Sequence, residues 1–250
     1  MNGWRRYLGT SISSIYGAWH RFAPPGKGFR ILMYHAVGST VPGDVLGLFN
    51  IAPDRFKQHM QVLSEFALGR VAKLNELPEE GVAVSLDDGY RDNLECAAPI
   101  LTNLAIPFTV FVSPSFVLSG QPIYLSVAGL RELATVPGAT IGAHGYSHRW
   151  LTECNPHQLN EELISSRKWL EDILGQSVTT MSYPYGGINK RVRKEVAAAG
   201  YKIAASNRFG TNLSDCNPLW LARTDIWAHD DPKTFHAKLA GDWDWLRWHS

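Results

Sequence analysis

The chain has 250 residues, 45% of them hydrophobic and 19% charged, enough for a full core and within the range of one α/β barrel-type domain. Lys and Arg number 24 against 23 Asp and Glu, a formal net charge of +1, so no global field gathers nucleic acid or another polyanion. The three cysteines, Cys96, Cys154 and Cys216, lie far apart and form no C-x-x-C, which argues against a disulfide framework and a thiolate metal site and fits a reducing compartment.

Residues 1–28 form a segment of their own. Trp4, Leu8, Ile12, Ile15, Trp19 and Phe22 recur at helical spacing beside Arg5, Arg6 and Arg21, which predicts an amphipathic helix. Such a helix either packs on the domain or serves as an interfacial anchor or partner surface. Arg5-Arg6 faintly resembles a twin-arginine export signal, but the stretch after it is rich in Ser, Thr and Gly and makes a poor apolar segment. A cytoplasmic location is therefore expected, with membrane association as the alternative and export disfavoured. No run of about 18 apolar residues occurs, so no spanning helix is expected. Pro24-Pro25-Gly26-Lys27-Gly28 then breaks the pattern, and the main domain is expected over 29–240.

Within it, 29–35 reads as a strand. Pro53 and Asp54 open a helix with Phe56, Met60, Leu63 and Ala67 on one face. Strands are expected at 82–86, 108–112, 139–143, 178–182, 201–205 and 220–226, and helices at about 93–104, 127–133, 189–199 and 232–239. Asn155 and Pro156 start a long helix striped by Leu159, Leu163, Ser166, Leu170 and Ile173 and ended by Gly175. Such alternation implies a largely parallel sheet of about seven strands, closed or nearly so. The basic cluster of Lys190, Arg191, Arg193 and Lys194 reads as a solvated helix face. The aromatic tail, 241–250, packs on the barrel or forms a partner surface; the sequence does not decide.

Two strand ends carry the chemistry. Ser85-Leu86-Asp87-Asp88-Gly89-Tyr90 follows one apolar run, and His144-Gly145-Tyr146-Ser147-His148 follows another. Taken alone, Asp-Asp-Gly is an ordinary turn, and two histidines four apart are unremarkable. Together, at the ends where barrel proteins place their chemistry, they can offer a divalent metal one oxygen and two nitrogens, with a carboxylate left over as a base. Gly145 stands where a zincin would have Glu, so the base must come from elsewhere, and Asp87 is the candidate.

The run VAVSLDDGYRDN, then IPFTVFV, IGAHGYSH and SYPYG, with the opening LMYHAVG, strongly resembles the polysaccharide deacetylase family, the NodB-homology domain of carbohydrate esterase family 4. The resemblance covers roughly residues 30–227. It implies a distorted (β/α) barrel that removes acetyl groups from N-acetylated, or sometimes O-acetylated, sugars. It also implies Asp87 as base, Asp88, His144 and His148 as ligands of a divalent metal, foremost Zn2+ with Co2+, Ni2+ or Fe2+ as alternatives, and the Tyr185 backbone N–H as oxyanion donor. The implied partner is an acetylated carbohydrate, and no nucleic acid is expected.

Two departures stand out. Ser182 occupies the position where the family's usual Arg orients the base, and Arg223, near the end of a later strand, is the expected substitute. The family's late Leu-x-His is absent in clear form, which leaves His229 and His35 as candidates for the general acid. His35, Tyr183, Pro184, Trp150 and Trp227 are candidate substrate contacts, and a ring of Trp150, Tyr185 or Trp227 could stack on a sugar as readily as fill core. The leading expectation is an N-acetyl amino-sugar deacetylase acting on a glycan, glycolipid or sugar precursor. The competing readings are an O-acetyl esterase and a catalytically silent carbohydrate-binding relative.

Overall fold

A computed structural model of the chain describes residues 28–66 and 71–248; the predicted N-terminal amphipathic segment, with its anchoring and export readings, and Ala67 lie outside them. In chain order the strands are β1 (Phe29–Tyr34), β2 (Ala36–Val37), β3 (Asn50–Ile51), β4 (Gly81–Leu86), β5 (Phe108–Val112), β6 (Ala139–Ala143), β7 (Thr180–Ser182), β8 (Ile203–Ala205) and β9 (Thr224–Asp225). The helices are α1 (Pro53–Phe66), α2 (Ala98–Asn103), α3 (Pro114–Leu118), α4 (Val127–Thr135), α5 (Pro156–Asn160), α6 (Ser166–Leu174), α7 (Lys190–Ala198) and α8 (Pro232–Ala240). None of the described helices is long and apolar enough to cross a membrane.

Seven strands form one parallel sheet in the order β8-β7-β6-β5-β4-β1-β9, while β2 and β3 pair separately. The two edges of the large sheet meet at one segment: Leu221 bridges Ala205 of β8, and Thr224 and Asp225 pair with Leu32 and Met33 of β1. The sheet thus curls into the expected distorted (β/α) barrel. The 220–226 expectation shrinks to β9 plus that bridge because the segment changes partner partway along. β2, β3 and α3 were not anticipated, since two- and five-residue elements are too short to show a period.

The strands bury both faces, as a covered parallel sheet requires. Leu32 and Tyr34, Val82, Val84 and Leu86, and Val110 and Val112 belong to the large outer core beneath the helices. Their neighbours Phe29, Ile31, Ala83, Phe111, Ile203 and Leu221 fill the barrel interior. This period of two continues upward, so Ser85, Asp87, Ser182, Arg223 and Asp225 belong to the inner face near the C-terminal ends of the strands. Gly142 permits the inner packing, because a Cβ there would lie 2.5 Å from the Phe111 ring.

The long helix expected after Asn155 is continuous from α5 to α6, with a wider π-helical turn over Glu161–Ser165 between them. Asn155 caps it by accepting from Gln158 N. A second π-helical turn, Asn93–Ala97, leads into α2. At the chain's end Trp243 is buried, and Asp244 accepts two bonds from Arg30 of β1 at 2.8 and 2.9 Å, so this part of the aromatic tail is folded onto the barrel.

Candidate active site

Neighbouring residues of a strand point to opposite faces, so Asp87 and Asp88 would ordinarily diverge. Asp88 adopts φ +75° and Gly89 φ +73°, and this immediate reversal turns the second carboxylate back over the barrel mouth. A left-handed conformation costs a non-glycine residue about 1–2 kcal/mol, so the packing around Asp88 must hold it there. At Gly89 a side chain would also crowd Val112, its Cβ lying 3.2 Å from two methyl carbons.

His144 and His148 meet Asp88 at this point. Their Nε2 atoms lie 3.4 and 3.2 Å from Asp88 Oδ1, and the three residues are the one such cluster among the described residues whose donor atoms lie close enough together to share a metal ion. His144 Nδ1 lies 2.9 Å from the Ser182 carbonyl oxygen, which fixes the proton on Nδ1 and turns the Nε2 lone pair towards Asp88. Asp88 Oδ1 is buried and makes no well-directed hydrogen bond. Ligands at 2.0–2.1 Å from a tetrahedral zinc stand about 3.4 Å apart, so the donor set and its spacing fit a divalent cation. Burial pushes the Asp88 carboxyl up, and the two imidazoles outweigh it and hold the group well below the usual carboxylate range. Burial likewise presses the His144 imidazole down, while Asp87 and Asp88 outweigh it and raise it.

Asp87 faces a different partner. Arg223 donates Nη1 to Oδ1 at 2.7 Å and Nη2 to Oδ2 at 2.8 Å, a bidentate pair with both side chains at most 3% exposed. Arg223 Nη2 also donates to Ser182 Oγ at 2.7 Å, Nε donates to the Ser206 carbonyl at 2.8 Å, and Ser182 Oγ donates to Asp87 Oδ2 at 3.2 Å. Burial would raise the Asp87 carboxyl, but the Arg223 guanidinium and then His144 more than offset it and keep it ionised. The structure therefore joins Arg223 and Ser182 on the same carboxylate.

These groups line a cavity of about 400 Å³ at the barrel mouth, together with His35, Tyr185 and Asp225. His35 Nδ1 is buried without a partner, its ring lies 4.5 Å from Phe49, and its carbonyl accepts from Asn93 at 2.9 Å. Tyr185 adopts φ +56°, with its ring between the edge contact of His148 at 4.5 Å and the stacked Trp150 at 4.9 Å. Trp150 belongs to an adjoining groove that shares His148 and Tyr185 with the cavity.

Of the remaining candidates Tyr183 contributes to the cavity lining, whereas His229, Trp227 and Pro184 lie outside it. His229 is outside the cavity lining, with its ring 5.8 Å from Trp227. Trp227 is outside it too, donating Nε1 to Asp225 Oδ2 at 2.9 Å beneath the Lys238 ammonium, 3.7 Å from the ring. Tyr183 is fully buried and donates its hydroxyl to the Leu219 carbonyl, and Pro184 is buried against the Gly145 turn. Sequence reasoning missed Asp225, whose Oδ1 is buried without a partner and whose carboxyl is raised by burial. An acidic residue two places after Arg223 at a strand end was the available signal.

A model of the polysaccharide deacetylase family matches residues 75–204. YxkH of Bacillus subtilis strain 168, whose name places it among polysaccharide deacetylases, is 28% identical over 207 residues, covering 79% of this chain and 71% of that protein. The peptidoglycan-N-acetylglucosamine deacetylase PgdA of Listeria monocytogenes strain 10403S is 26% identical over 129 residues, 50% of this chain but only 26% of that protein. Among solved structures, the Streptococcus pyogenes deacetylase PplD in complex with acetate superposes with a TM-score of 0.73 at 25% identity, covering 86% of this chain and 98% of that one. With its barrel, its strand-end cluster and a match over more than half its length, the chain belongs to the polysaccharide deacetylase family.

Proposed function

We propose that this protein is a metal-dependent deacetylase that hydrolyses the N-acetyl group of an amino sugar in a glycan, glycolipid or sugar precursor. One observation carries the reading: a three-donor cluster with an unsatisfied Asp88 oxygen lies beside a second carboxylate, Asp87, locked by Arg223. Asp88, His144 and His148 would hold the cation. A divalent metal there supplies Lewis acidity, polarising an acetyl carbonyl and acidifying water. Two nitrogens and one oxygen suit Zn2+, with Co2+, Ni2+ or Fe2+ as substitutes.

The chain's own residues do the rest. Asp87, held ionised and oriented, takes a proton from the attacking water. The Tyr185 backbone N–H is the proposed donor to the oxyanion as the carbonyl carbon becomes tetrahedral. When the C–N bond breaks, the amine needs a proton, and His35 is better placed to give it than His229, which stands outside the cavity. Asp225, also on the cavity wall with an unpaired oxygen, is the counter-charge available to His35. The products are acetate and a free amino sugar. The Listeria relative's name specifies N-acetylglucosamine in peptidoglycan, which supports the N-acetyl reading.

The test is acetate release from N-acetylglucosamine oligomers and from O-acetylated xylan by the metal-loaded protein. Release from the former supports the proposal. Release from the latter alone makes the protein an esterase, and release from neither, with metal bound, favours a silent binding relative.

A further inference from the structure

The loop between the two histidines is improbable as free chain. His144 directly follows β6, and within four residues the backbone must reverse so that His148 returns to it, the ring centroids 4.9 Å apart. It does so through φ +66° at Gly145 and φ +56° at His148 itself. A non-glycine residue in that region is strained and persists only when its surroundings over-determine it.

What holds the loop is the helix running beneath it. Glu162, 4% exposed, accepts from the backbone N–H of Tyr146 at 2.8 Å and of Ser147 at 2.9 Å, and also from the Ser147 hydroxyl. Four residues on, the fully buried Ser166 donates to the Gly145 carbonyl at 2.9 Å. Ser113 Oγ and Ser115 N donate to the His144 and Tyr146 carbonyls at 2.6 and 2.9 Å. Arg149 Nε is a distant 4.0 Å from the Glu162 carboxylate. The loop amides are therefore the chief compensation for a buried negative charge, and charge-assisted bonds of this kind are roughly twice as strong as neutral ones. Glu162 lies in the π-helical turn between α5 and α6, a feature that concentrates at functional sites. The carboxylate also approaches Gly145 so closely that a Cβ there would lie 2.8 Å from Oε2.

We infer that Glu162 is a positioning residue that sets metal affinity: its buried carboxylate, assisted by Ser166, fixes the 145–148 turn so that His148 is presented to His144 and Asp88 before any cation arrives. This rests on the metal-site reading above. With Glu162 intact, the ligands meet a cation without further ordering of the loop. Without it, binding must first restore the strained turn, and affinity falls by the population of the competent loop.

The experiment titrates the metal-free full chain with Zn2+ against a chelator of known affinity, alongside melting of the metal-free forms. Glu162→Gln keeps the size and can leave an oxygen facing the Tyr146 and Ser147 amides, but it removes the charge that strengthens those bonds and puts an NH2 opposite the Ser147 hydroxyl. It should weaken Zn2+ binding about 10- to 100-fold, the usual effect of losing a group that orients a ligand. Glu161→Gln, at the neighbouring exposed carboxylate, should bind as the wild type does. Ser166→Ala, which removes one bond, should weaken binding less and provides the test if Glu162→Gln does not fold. Wild-type affinity in Glu162→Gln, or in Ser166→Ala when that variant must serve, would overturn the inference. So would a lower melting temperature with unchanged affinity, the mark of a merely structural role. A wild-type chain that takes up no Zn2+ would overturn the metal-site reading and this inference together, whereas uptake by the wild type and Glu162→Gln alike overturns this inference alone.

Discussion

Arg223 closes on Asp87 through two parallel hydrogen bonds of 2.7 and 2.8 Å, although 136 residues separate them in the chain. The barrel makes this contact, because β9 returns beside β1, which in turn pairs with β4, the strand leading into Asp87. The guanidinium also engages Ser182 Oγ, the Ser206 carbonyl and, at 3.4 Å, Ser85 Oγ, so three further bonds fix the fork that holds the carboxylate.

Replacing Arg223 with Lys tests this fork. An ammonium keeps the charge but cannot span both Asp87 oxygens, Ser182 Oγ and the Ser206 carbonyl in one plane. A base displaced by about 1 Å can cost 10²-fold in rate, so kcat of Arg223→Lys should fall by about that much with KM little changed. Steady-state kinetics on an N-acetylated oligosaccharide decides, and a wild-type kcat would remove the orienting role.

Asp87→Asn separates base from ligand. The amide keeps the shape and loses the basicity, so metal uptake should persist while the rate drops on the order of 10²–10⁴. Loss of the metal instead would exchange the roles of Asp87 and Asp88.

Much of this was legible in the sequence, for physical reasons. Strands buried on both faces read as apolar runs, and the long helix carried its cap and stripe openly, so the barrel and the strand-end positions of Asp87, Asp88 and His144 followed. The contribution of Ser182 did not, because a serine in place of an expected arginine reads as a loss, whereas it bonds to both Asp87 and Arg223. Glu162 lies three residues after Leu159 and four before Ser166, within the buried stripe, and a carboxylate there was the overlooked sign of a partner. His229 looked suitable by chain position alone; only the fold shows its ring beside the Trp227 indole and outside the cavity that Asp225 lines. Tyr185, proposed as a stacking platform, has ring contacts with His148 and Trp150 that no local pattern announces.

His35→Gln should lower kcat on an N-acetylated substrate by about 10²–10⁴, the worth of a general acid, because the departing amine must be protonated. His229→Gln should cost far less. Equal losses at the two positions, measured under the same conditions, would contradict the assignment of the acid to His35.

Acid stability should report His59. Its ring is fully buried, stacks on Phe235 at 4.2 Å, lies 2.8 Å from the Asp230 carbonyl through Nε2 and 3.2 Å from the Tyr34 hydroxyl through Nδ1. Burial pulls its pKa from 6.5 down to about 4. In that interval the unfolded chain binds the proton and the folded one does not, so the contribution is complete above 6.5 and lost as pH falls towards 4. Its full size is on the order of 3 kcal/mol. The melting temperature of His59→Gln should start lower and fall less steeply between these values; parallel curves would show that His59 does not titrate with unfolding.

The most direct test is the metal stoichiometry of the purified, Zn2+-reconstituted chain and of His148→Ala, read by elemental analysis. With three protein ligands, losing one should all but empty the site, so the account predicts about one metal per wild-type chain and close to none in the variant. A wild-type chain that holds no metal, or a His148→Ala chain that holds as much as the wild type, would contradict it.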